Sequence, residues 1–363
     1  MTRIVWPALA FLFLHLPTAS SELADSASQP WGTHLVQTAQ AQVDVGAAKI
    51  YRGTVGDKHI EMRLKVNGTK VSGTYSYDQF RQDLKLDGSY NANGDLELNE
   101  MASRNKKTGK FACKRKPETF DADVECEWSR PDGTGKAFVV LYEQHFAFTN
   151  GLDVAPKVII DRKSRVTVSY PQLIATTPIQ AVDDFNRLIT SLIQKAIKDF
   201  VPEASTRTTF DTNYNVLLGA NDLVSIEMQE YSDSGGAHPN TRLWTVNYDL
   251  KENRQLSIDD IFKSDAEYKP AIADYVVKEI NGRAVQMEQD EARRAGRQPE
   301  KRDEPLMTAD QLPEIDAWAL SPGGLAVYFD FPHVMAVFDK TIVPYSVVRA
   351  HLKTNGPAAP FVR

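Results

Sequence analysis

The stretch Ile60-Glu61-Met62-Arg63-Leu64-Lys65-Val66-Asn67-Gly68-Thr69-Lys70-Val71-Ser72-Gly73-Thr74-Tyr75-Ser76-Tyr77 decides the first half of the chain. Apolar residues fall on alternate positions at Ile60, Met62, Leu64 and Val66, and again at Val71, Tyr75 and Tyr77. Period two means strands with one buried face. Between the runs lies Asn67-Gly68, a pair that readily takes the positive φ angles of a tight hairpin. The stretch is therefore two antiparallel strands. Further along, the alternation returns at Leu84 and Leu86 and at Leu96 and Leu98, and turn pairs recur at Gly56-Asp57, Asn93-Gly94 and Asp132-Gly133. Runs near 50–55, 58–66, 70–77, 82–90, 94–99, 109–114, 122–128 and 136–142 give about eight strands. A meander of that size closes into an all-β antiparallel barrel, placed at 49–146, that is either filled by its own side chains or holds a small ligand. Gly53, Gly73 and Gly88 each interrupt a strand, where glycine permits a sharp bend, as at barrel corners.

The two cysteines, Cys113 and Cys126, sit in strand candidates on either side of Lys116-Pro117-Glu118. Their spacing predicts a disulfide stapling a hairpin, with Cα atoms within ~7 Å. A closed loop of roughly 14 residues corresponds to about 3 kcal/mol in the chain-entropy account.

Met1-Thr2-Arg3 followed by an apolar run from Ile4 to Leu16, Pro17 and the small residues Thr18-Ala19-Ser20-Ser21 reads as a signal peptide over 1–20. That run is shorter than the ~20 residues of a membrane span, so the mature chain is expected to have none and to be periplasmic or secreted. Residues 21–48, rich in Ala, Ser, Gln and Asp, read as a flexible linker. With 42% hydrophobic and 25% charged residues the 363-residue chain can build two ordinary cores. Its net charge of −6, with no basic stripe, argues against nucleic acid.

Beyond Gly151 the pattern changes. Ile179, Val182, Phe185, Leu188, Ile189, Leu192, Ile193, Ile197 and Phe200 recur at spacings of three and four, an amphipathic helix begun by Thr177 as cap and Pro178 at the first turn. Strands are expected at 208–218, 223–231 and 241–250, a second helix at 266–280, and strands at 317–320, 325–329 and 341–343. The mixed-charge stretch 288–305 reads as a solvated helix extension and loop. Helices segregated from an antiparallel sheet make this an α+β domain over 151–354.

Ser234-Gly235-Gly236-Ala237-His238-Pro239-Asn240 is the most singular segment, a strand connection whose glycines and proline impose an unusual path. Tyr231 precedes it. Trp244 through Tyr248-Asp249-Leu250, then Leu256-Ser257-Ile258-Asp259-Asp260-Ile261-Phe262, follow it, and Leu325 to Phe329 and Val343-Pro344-Tyr345-Ser346 close the domain. In this order these motifs resemble the RsiV-like C-terminal domain, a domain of unknown function numbered 3298. The sequence departs from that pattern at Phe331-Pro332-His333-Val334-Met335, where the family is richer in tyrosine. The resemblance implies an extracytoplasmic recognition module, since relatives include an anti-sigma factor whose outer domain binds lysozyme and secreted deacetylases carrying the domain as an accessory.

Chemistry was sought in the same residues. Ser232-Asp233-Ser234-Gly235-Gly236 differs by one residue from the nucleophile segment of chymotrypsin-like proteases, but no histidine stands in the context of a triad base. The histidines are dispersed and form no metal motif, nucleotide fingerprints are missing, and Glu227, Glu230 and Asp233 are a carboxylate group that spacing alone does not select. The expectation is a non-enzymatic envelope binding protein without cofactor or metal, recognising an extracytoplasmic protein (lysozyme-like by family analogy) or a cell-wall glycan. Its candidate site is Tyr231, Ser234, Gly235, Gly236, His238, Asn240 and Trp244. The alternatives are an envelope hydrolase using the 234–240 loop and a small-ligand carrier using the barrel interior. The oligomeric state stays open.

Overall fold

A computed structural model describes residues 48–102, 106–114, 122–148, 151–200, 208–236, 238–264 and 267–362. The expected signal peptide, almost all of the 21–48 linker and the Lys116-Pro117-Glu118 turn lie outside the described residues. The first half is a closed antiparallel barrel of β1 (Lys49–Val55), β2 (Lys58–Asn67), β3 (Lys70–Tyr77), β4 (Leu84–Tyr90), β5 (Leu96–Ala102), β6 (Lys106–Lys114), β7 (Val124–Ser129) and β8 (Ala137–Gln144). β1 closes it against β8, with Gly53 opposite Leu141. The interior is filled: Ile60, Met62, Leu98, Phe111, Val139 and Leu141 are almost fully buried and pack as one cluster. Cys113 and Cys126 are direct partners across β6 and β7 and form the expected disulfide, Cα atoms 3.8 Å apart. The strand glycines have a sharper reason than bending. A Cβ at Gly53, Gly73 or Gly88 would land on the carbonyl oxygen of Val140, Arg63 or Glu97, so the tight coiling of neighbouring strands requires their absence.

The second half opens with a hairpin the sequence reading did not anticipate, β9 (Leu152–Asp161) and β10 (Val166–Ala175). Each carries a proline, Pro156 facing Pro171. Proline removes a ladder donor, and the fold tolerates both: β9 is a sheet edge, and β10 meets its other neighbour only over Val166–Val168. The chain then crosses over through α1 (Gln180–Asp199), which buries Val182, Phe185, Ile189 and Ile193 on the sheet. Its N-cap is Ile179, without a side-chain cap bond, so Thr177 does not cap it and Pro178 precedes the helix. After β11 (Thr209–Ala220), which pairs parallel to β10, β12 (Leu223–Asp233), β13 (Asn240–Asp249) and the short β14 (Arg254–Gln255) complete a six-stranded sheet. The expected strands are thus present within two residues at each end, in a sheet that is antiparallel except for that one pairing.

α2 runs over Tyr268–Ala295, well past the expected end at Ile280, and stops at Gly296 in the left-handed conformation, φ 65°. The charged stretch carries its last turns on a solvated face. Ile272, Val276, Ile280 and Ala284 pack with β15 (Ala317–Leu320), β16 (Gly324–Tyr328), β17 (Lys340–Pro344) and the short α3 (Tyr345–Val348) into a second core. This small sheet is pinned to β13 because Thr245 Oγ1 and Asn247 Nδ2 both donate to the Trp318 carbonyl, at 2.6 and 2.7 Å.

Barrel and sheet meet through buried polar groups. Arg52 of β1, 1% exposed, reaches Asp78 Oδ2 at 2.6 Å and Asn213 Oδ1 of β11 at 3.2 Å, and lies 3.8 Å over the Tyr214 ring. Ser169 of β10 donates to the same Asp78 carboxylate at 2.5 Å. Burial alone would push Asp78 upward, but the guanidinium beside it holds its carboxyl below the usual range. Gln144 of β8 continues the seam, donating to Asn215 Oδ1 and accepting the Val216 amide.

Candidate functional site

β12 and β13 carry the candidate loop at their tip, with β12 paired to β11 up to Asp233 opposite Thr209. Ser232 pairs with Asn240 at the last ladder position, so Ser234, Gly235, Gly236, His238 and Pro239 stand outside the ladder. The turn is set locally: Gly235 takes φ 81° and its amide donates to Asp233 Oδ1 at 2.8 Å, an aspartate turn that a side chain at Gly235 would strain. Gly236 is a different matter. A Cβ there would meet only the His238 carbonyl at 4.0 Å, so of the two glycines expected to shape the path only Gly235 is required, by its φ, while Gly236 has open space.

The predicted residues come together unevenly. Ser234, Gly235, Gly236, His238 and Asn240 are exposed at the tip, Tyr231 is 40% exposed on the strand leading to it, and Trp244 is half-buried further down β13. Trp244 Nε1 donates to Glu230 Oε1 at 2.5 Å, which fixes the indole as part of the stem that supports the loop. Ala237 lies outside the described residues. His238 Nδ1 lies 3.0 Å from the Pro239 carbonyl, so Nδ1 bears the proton of that bond and Nε2 faces out as an acceptor while the ring is neutral.

His333 is the residue that sequence reasoning missed. It opens the short turn 333–338 between β16 and β17, and its ring stacks on His238 with centroids 4.7 Å apart and planes within 6°. The two imidazoles are exposed, and beside His333 stands Val334, 87% exposed. The available signal was the departure from the tyrosine-rich family pattern at this point, which places a histidine where the fold returns to the loop.

The nearby carboxylates are committed elsewhere. Glu227, 2% exposed, accepts from Asn215 Nδ2 at 2.9 Å, Tyr328 OH at 2.7 Å and Lys340 Nζ at 2.6 Å. Burial works against its ionisation, but Lys340 and these donors win and bring its carboxyl down to about 2. Glu230 is held by Trp244 and Asp233 by the Gly235 amide, so the three acids seen in sequence form no free pair of the kind glycoside hydrolysis uses. Among the described residues no group of three or more His, Cys, Asp or Glu is placed to hold a metal ion.

Comparison with known proteins places part of this region. Over 118 residues the chain is 34% identical to the peptidoglycan-N-acetylmuramic acid deacetylase PdaC of Bacillus subtilis (strain 168), covering 32% of this chain and 25% of that protein. The chain thus spans about a quarter of that relative's length. Solved structures of DUF3298 family proteins from Bacteroides fragilis and Pseudomonas aeruginosa PAO1 align over 58% and 56% of this chain and 96% and 95% of theirs, each at 15% identity, with TM-scores of 0.37 and 0.38. The family described as protein of unknown function (DUF3298) matches residues 259–345, which take in His333 and Pro344-Tyr345 and leave the Gly-Gly-Ala-His loop upstream. The C-terminal part of the chain carries a DUF3298 domain at residues 259–345.

Proposed function

We propose that the chain is an exported, non-enzymatic recognition module of the bacterial envelope that binds a cell-wall glycan through the tip of the β12–β13 hairpin and the adjoining 333–334 turn. One observation carries the reading: His238 and His333 stand exposed against each other, while Glu227, Glu230 and Asp233 are already engaged within the fold. An open pair of rings beside the exposed Val334 is a contact surface, and the nearby acids Glu227, Glu230 and Asp233 do not supply the free carboxylate pair that glycoside hydrolysis uses. The filled barrel interior weighs against the carrier alternative. That a relative over part of the chain is a peptidoglycan deacetylase favours the glycan over a protein target.

The test is co-sedimentation of the full chain with purified peptidoglycan sacculi, with lysozyme affinity measured in parallel. Saturable pelleting without release of soluble sugar or acetate is the expected result. Binding to lysozyme alone would move the target to a protein, and product release would overturn the non-enzymatic reading.

A further inference from the structure

The stacked imidazoles invite a sharper statement about what they contact. His238 Nδ1 is spent on the Pro239 carbonyl, so when neutral its outward Nε2 is an acceptor and has nothing to offer an anion. His333 has no hydrogen-bond partner among the described residues, and its ring is equally open to solvent. Uptake of a proton turns the outward edge of His238 into a donor, and two adjacent cationic rings would repel unless an anion lies across them. A carboxylate has two oxygens and can accept from both rings at once.

Resting on the glycan reading above, we propose that the His238–His333 pair is a proton-requiring carboxylate receptor, selecting acidic amino sugars such as N-acetylmuramic acid over the otherwise similar N-acetylglucosamine. The charged groups on the two elements that carry the rings are accounted for. Glu230 and Asp233 are bonded within the hairpin, Arg242 is exposed at the start of β13, and Lys340 is paired with Glu227. Asp330 is exposed, and Asp339 accepts the Phe331 amide at 3.3 Å. Burial, with Asp330 adding to it, pushes Asp339 up to about 6, so it changes charge in the same pH range as imidazoles and needs its own control.

The experiment is calorimetric or NMR titration of the full chain with N-acetylmuramic acid and with N-acetylglucosamine, at about pH 5.5 and about pH 8. The acidic sugar is expected to bind at least about tenfold more tightly at the lower pH, and the neutral sugar to show no pH dependence. His238→Gln and His333→Gln should each remove that difference with the rest of the NMR spectrum unchanged, and Asp339→Asn should keep it. Equal affinity for the acidic sugar at both pH values, or a difference that survives both histidine substitutions, overturns the receptor. If sacculi still pellet the chain in either case, the glycan reading stands without it. If neither sacculi nor either sugar binds at any pH, the glycan reading fails and the receptor with it.

Discussion

Arg52 and His238 are both polar side chains in β-rich surroundings, and the fold treats them in opposite ways. Arg52 is sealed between barrel and sheet, and its charge is answered by Asp78, Asn213 and the Tyr214 ring. His238 stands at a hairpin tip against a second histidine, with Nε2 toward solvent. A buried cluster whose charge is answered holds two parts of a molecule in one arrangement and is sealed from any ligand, even though Arg52 Nε and Tyr214 OH within it have no hydrogen-bond partner among the described residues. An exposed pair with unused edges adds little to stability and is free to bind. Sequence alone points to the loop but gives no sign of Arg52, since an arginine in an alternating strand looks like surface.

The contrast can be broken most forcefully at the seam. Arg52→Ala leaves Asp78 buried without its cation and should cost about 3–5 kcal/mol by urea denaturation, with the His238 surface unaltered. A loss under about 1 kcal/mol would mean the seam does not hold the barrel. Removing the Cys113–Cys126 bridge as a double serine variant should cost about 3 kcal/mol, in thermal unfolding of oxidised against variant protein.

Glu227→Gln tests the cluster between the two sheets and has a defined pH signature. Its carboxyl lies at about 2 in the fold against an ordinary 4.5, so its stabilisation is present above about pH 4.5 and is lost as pH falls toward 2. The variant should be roughly 2–3 kcal/mol less stable at neutral pH and should show a flatter stability profile across that acid window. An unchanged profile would remove Glu227 from the account of acid sensitivity.

The barrel was legible because apolar residues alternate along β2 to β5 and Asn67-Gly68, Asn93-Gly94 and Asp132-Gly133 mark three of its turns, so local pattern and global closure agree. β9 and β10 were not, because Pro156 and Pro171 contradict a strand until the edge position of one and the short pairing of the other are known. α2 was read too short because its last turns are charged on a solvated side and bury little beyond Ala292. The candidate loop was legible from its own residues. Its partner His333 comes from the far side of α2, and only the packing of the three-stranded sheet on β13 brings the two together.

The central claim is that the hairpin tip serves recognition and not the core, and His238→Ala tests it most directly when melting temperature and sacculus binding are measured on the same preparation. The exposed ring predicts stability within about 0.5 kcal/mol of the parent chain and a clear loss of binding per folded molecule. A fall of ~1–3 kcal/mol in stability with binding intact would show that the histidine is a structural hydrogen-bond partner and would contradict the account.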